Sequence, residues 1–90
     1  MFLTALDQRK IVAWRKATPI IGYDPAIWRR DAFGWLIRYS DYGTRNSNFG
    51  WEIDHMRPTF LGGGNELSNL RALHWRNNAS LGGLLGRAVS

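Results

Sequence analysis

The sequence predicts an α+β fold in one small domain, and three features point there. Ninety residues suffice for a single core and little more. Residues 4–17 (TALDQRKIVAWRKA) contain neither Pro nor Gly and are rich in helix formers. Later come three short runs, at 35–39, 51–54 and 70–74, separated by polar and glycine-rich connections, as strands joined by loops would be.

The first element is a helix. Thr4 suits its N-cap, Asp7 its positive end, and Arg15 and Lys16 its negative end. Leu6, Val12 or Ala13, and Trp14 give it an imperfect apolar stripe. It is expected to pack on the core with a wet basic face; the other reading is a nucleic-acid-facing arm carrying Arg9, Lys10, Arg15 and Lys16. Pro19 and Gly22 break the chain after it. Asp24 and Pro25 read as the N-cap and first position of a short helical turn through Arg30, anchored by Trp28. Arg29 and Arg30 there are either phosphate contacts or an ordinary polar face.

Residues 35–39 (WLIRY) read as a strand and residues 40–50 as a polar loop that presents Arg45, Asn46 and Asn48. In the strand at 51–54, Trp51 and Ile53 share one face and Glu52 and Asp54 the other. Residues 70–74 form the next strand. A helix from about Trp75 carries Asn78, and the glycines at 82, 83 and 86 are expected to fray or end it. This divides the chain into a helical arm (1–32), a core region (33–85) and a mobile tail (86–90).

Composition narrows the function classes. There is no cysteine, which excludes disulfides and thiolate zinc sites, so aromatic packing must hold the domain together. Net charge is +5, and ten of the twelve cations are arginine, the side chain best suited to bidentate phosphate contacts. No run approaches membrane-spanning length, and MFLTALDQRK lacks the uninterrupted apolar core of a signal peptide, so a cytoplasmic protein without a membrane partner is expected.

The chemistry-bearing residues lie between Gly50 and Gly83. Asp54 offers a hard anionic oxygen and Asn78 a neutral carbonyl oxygen, both suited to Mg²⁺ or Mn²⁺. His55 is a candidate general base, since imidazole titrates near neutrality. Taken singly, a His-Asp pair is a surface hydrogen bond, Asn69 a turn residue and Asn78 a polar helix position. Their order and intervals point to a joint site. His74 reads as a packing or backbone-bonded histidine, the other reading being an extra metal ligand; Glu52 reads as a solvated carboxylate, the other reading being a contact to the metal through water.

The series Asp54-His55, Pro58, Gly62-Gly63, Ser68-Asn69-Leu70, Leu73-His74 and Asn77-Asn78 resembles the HNH endonucleases, also called ββα-metal or His-Me finger nucleases. The resemblance covers about the last half of the chain, with a weaker echo in residues 39–43 and 45–47. It implies a ββα-metal (HNH) core in which Asp54 and Asn78 hold one divalent ion, His55 activates water, and Asn69 orients the imidazole. It also implies a metal-dependent endonuclease acting on DNA and leaving a 5′-phosphate and a 3′-hydroxyl, with no small-molecule cofactor. Arg45, Arg57, Arg71 and Arg76 are the expected nucleic-acid contacts. A homodimer or larger assembly stays open, as does a narrower role as the nuclease of a toxin or mobile element.

Two departures from the family pattern stand out. His74 and Asn77 occupy places where many relatives carry a zinc-binding Cys pair, so no structural metal is expected. Leu81 stands where a basic residue is usual, and Gly82 where some relatives add a histidine ligand. The rival reading is a non-catalytic nucleic-acid-binding module that retains the fold.

Overall fold

Thr4 and Asp7 close a reciprocal cap at the start of the first helix. In the computed structural model, which describes residues 3–84, helix α1 (Ala5–Lys16) begins with Thr4 Oγ1 accepting from the Asp7 amide and the Asp7 carboxylate accepting from the Thr4 amide. Ala13, Trp14 and Ala17, just past the helix, are buried. Lys16 Nζ donates to the carbonyl of Leu70 at 2.7 Å and to that of Leu67. The basic end of this helix is therefore fastened to the distant half of the chain.

Two small antiparallel sheets follow. Strands β1 (Thr18–Pro19), β2 (Trp28–Arg30) and β3 (Leu36–Arg38) form one in the order β1-β2-β3. Pro19 sits on its edge, where a missing N–H costs no ladder bond. The helical turn expected from Asp24 through Arg30 is cut short. Asp24 Oδ1 accepts from the Ala26 amide at 2.9 Å, its carbonyl accepts from Ile27 and Trp28, and the chain then turns extended. The cap is real, but ladder pairing of Trp28 with Arg38 and Arg29 with Ile37 overrides the local helix signal. Arg29 is a brace, donating to the carbonyls of Pro25, Arg15 and Ala17. The region expected as a helical arm (1–32) thus supplies, over its described residues, one core helix and two strands.

Strands β4 (Trp51–His55) and β5 (Leu70–His74) form the second sheet, a two-stranded hairpin with Asp54 opposite Arg71 and Trp51 opposite His74. Helix α2 (Trp75–Leu84) follows β5 directly and continues through positions 82 and 83, two of the three glycines expected to fray or end it; the third, at 86, lies outside the described residues. The tail expected at 86–90 lies outside the described residues.

Alternation gives the hairpin two unlike faces. Trp51, Ile53, Leu70 and Ala72 pack with Ala13, Trp14 and Ala17 in one apolar cluster. Trp51 is fully buried, with the rings of Trp14, Tyr39 and Tyr42 at 5.3, 5.7 and 5.0 Å. Burying each large apolar side chain is worth about 1.5–3 kcal/mol. The indole N–H groups of Trp14 and Trp51 reach the carbonyls of Pro25 and Tyr39, so neither ring strands a donor. The other face carries Glu52, Asp54, Arg71 and Leu73.

A buried carboxylate ties the two sheets together. Asp31, 2 % exposed, accepts through Oδ1 from the amides of Phe33 and Trp35, and through Oδ2 from the His74 amide and Asn77 Nδ2, all at 2.8–2.9 Å. His74 Nδ1 accepts from the Arg76 amide, so its proton is on Nε2, which donates to the Asn48 carbonyl at 2.7 Å. With both ring nitrogens engaged, His74 positions the first turn of α2. Among the described residues, no helix is long and apolar enough to cross a membrane.

Candidate active site

The α2-facing side of the hairpin collects the oxygen donors. Asp54 and Asn78 are both fully buried. Asn78 Nδ2 reaches across from α2 to Glu52 Oε1 at 3.0 Å, and Glu52 shares its strand face with Asp54. Asn78 therefore faces the side of β4 that carries Glu52 and Asp54. Glu52 is not the solvated carboxylate expected, because Arg45 grips it through Nε and Nη2 at 2.7 and 2.8 Å. Asp54 accepts from Arg71 Nε at 2.9 Å across the ladder.

His55 ends β4 and turns to the glycine-rich loop, where Nε2 lies 2.8 Å from Asn65 Oδ1. With that oxygen as acceptor, Nε2 is the donor in this contact. Asn65, which carried no role in the sequence reading, is thus the side chain seen holding the imidazole. The direct orienting role expected of Asn69 takes another form. Its Nδ2 donates to the carbonyls of Arg57 and Gly64, and its Oδ1 accepts from the Arg57 amide. Both amide hydrogens are spent on the loop that leads from His55 to Asn65. The loop is tight enough to require glycine: a Cβ on Gly63 would lie 1.7 Å from the Arg57 carbonyl oxygen, and Gly62 has φ +87°.

The four arginines expected to meet nucleic acid are not alike. Arg45 and Arg71, expected as nucleic-acid contacts, are engaged by the carboxylates of Glu52 and Asp54. Arg57 is exposed and donates to the Leu61 carbonyl within its own loop. Arg76 is exposed and lies 4.9 Å from the centre of the Trp75 ring; Arg45 lies 5.9 Å from the same ring. Exposed Met56, Phe60, Leu61 and Leu67 surround the loop beside His55.

Burial alone would raise the Glu52 carboxyl, but the Arg45 hydrogen bonds and the Asn78 amide outweigh it, so the group is held below the usual range. Asp41 is lowered by Ser47 and Arg38, and Asp7 by Thr4. Each depressed carboxyl adds stability that is present above the ordinary carboxylate range and lost as pH falls through the lower folded value. Thermal melts are therefore expected to hold level from pH 7 to about 5 and to fall below about 4. Glu52→Gln should flatten the acid limb, and an unchanged limb would show that Glu52 contributes nothing to it.

Among the described residues, no three His, Cys, Asp or Glu side chains are grouped to hold an ion. The available set is two carboxylates and an amide, all hard oxygen donors, and that chemistry fits Mg²⁺ or Mn²⁺. Comparison with protein-family models, with curated proteins and with solved structures returned no significant match.

Proposed function

We propose that the chain is a divalent-metal-dependent endonuclease of the HNH type, hydrolysing phosphodiester bonds in DNA. The observation that carries this reading is the meeting of Asn78 with Glu52 on the strand face that bears Asp54, next to His55. Asn78 meets, from 26 positions away, the strand side that carries both carboxylates, and the His55 imidazole is adjacent in sequence to Asp54.

Asp54 and Asn78 would hold the cation, which when bound supplies neutralisation of the phosphate and of the leaving oxygen. His55, held through Nε2 by Asn65, would accept the proton of the attacking water. Asn69 fixes the loop that carries Asn65, and Arg57 and Arg76 offer exposed guanidiniums to the backbone of the substrate.

One observation favours the second reading, a non-catalytic nucleic-acid-binding module: both carboxylates of the site already have guanidinium partners. A supercoiled-plasmid nicking assay separates the two. Cutting with Mg²⁺ or Mn²⁺, abolished by EDTA, is expected, with thermal stability unaffected by the chelator. Retained DNA binding with no cutting under any divalent metal would establish the binding module, and RNA run in parallel defines the substrate class.

A further inference from the structure

The two carboxylates beside Asn78 are charge-matched in a particular way. Arg71 reaches Asp54 from the facing strand, and Arg45 reaches Glu52 from the loop before β4. A carboxylate withdrawn from water needs a countercharge, and among the described residues Arg71 stands beside Asp54 and Arg45 beside Glu52. A divalent cation carries the same charge as the two guanidiniums together.

We infer that Arg45 and Arg71 are exchangeable counterions: a divalent cation taken up by Asp54, Glu52 and Asn78 displaces both guanidiniums, which then bind substrate phosphates at the rim of the site. This rests on the nuclease reading above and adds Glu52 to the ligand set. The geometry permits the exchange. The Arg45 side chain is 46 % exposed and that of Arg71 27 %, so neither is locked in the interior. Each has an aromatic surface at hand to rest on, Trp75 at 5.9 Å for Arg45 and Phe33 at 5.7 Å for Arg71. Metal and nucleic acid are then coupled, and the coupling is reciprocal. Two released cations steepen the slope of log K against log salt by about 1.8.

The test is isothermal titration with Mn²⁺ of the parent chain, Arg45→Ala and Arg71→Lys, with far-UV circular dichroism to confirm folding. It is joined to the salt dependence of binding to a short DNA duplex, with and without Mn²⁺, in the His55→Ala background. Arg45→Ala, at an exposed position, is the variant that decides. It is expected to bind Mn²⁺ several-fold more tightly than the parent, because a competing cation is gone, and to lose about half of the metal-induced steepening. Equal Mn²⁺ affinity in parent and Arg45→Ala, or a salt slope indifferent to Mn²⁺, overturns the exchange and leaves the metal site standing. Absence of Mn²⁺ binding in all three folded proteins overturns the exchange and the nuclease reading together.

Discussion

His55→Ala is expected to nick supercoiled DNA about 10²–10⁴-fold more slowly than the parent chain while binding Mn²⁺ with unchanged affinity. The imidazole ends β4 with Nε2 on Asn65, so its removal deletes the proposed proton acceptor and none of the proposed metal ligands. Asp54→Ala should instead lose metal binding and cutting together. Asn78→Ala should lose both more mildly, with partial rescue at raised metal concentration. Asn69→Ala should keep its metal affinity and lose about 10–100-fold in rate. Because Asn69 clamps the loop at Arg57 and Gly64, chymotrypsin should also cut faster after exposed Phe60. Nicking rates paired with Mn²⁺ titration read all four variants. A parental rate from His55→Ala would show that the proton leaves by another route or that the site does not cut.

Asp31→Ala is expected to cost about 3 kcal/mol of stability, about 12–24 °C in Tm for a domain of this size. The substitution strands the amides of Phe33, Trp35 and His74 and the Nδ2 of Asn77, at a position 2 % exposed. Asp31→Asn keeps one acceptor oxygen but sets an NH₂ group against the remaining donors, so it should recover only part of the loss. Thermal melts of the two variants decide the matter, and a loss under about 1 kcal/mol in Asp31→Ala would mean that water replaces the carboxylate.

The elements legible in the sequence were those whose signals are local. The Thr4–Asp7 cap, the alternation of Trp51 and Ile53 against Glu52 and Asp54, and the strand at 70–74 each depend on residues a few positions apart. Strands β1 and β2 were not legible, because two or three residues carry no period and only pairing with β3 makes them extended. Asp24-Pro25 gave a true start signal for a helix that tertiary pairing stops after one turn. At the site, residue types were readable and partners were not. Arg45 and Arg71 look like any basic surface residues until Glu52 and Asp54 are placed beside them. Asn65 is one polar residue in a glycine-rich loop, and only its distance from His55 distinguishes it.

Helix α1 lies against β5, and Lys16 caps carbonyls more than fifty positions away. This interleaving makes the protein a natural two-piece object. Cutting the backbone at the exposed Arg45–Asn46 turn leaves one fragment with α1, Asp31 and Arg45, and another with the β4–β5 hairpin and α2. Neither fragment buries its apolar face alone: Trp14 loses Trp51, and the hairpin loses the helix that covers it. The second fragment holds Asp54, His55 and Asn78, yet the Asp31 anchor for the start of α2 stays on the first. These contacts, the Arg45–Glu52 pair among them, would then lie between the two pieces and favour their recombination. A split chain of this kind would assemble its site only where both halves are present.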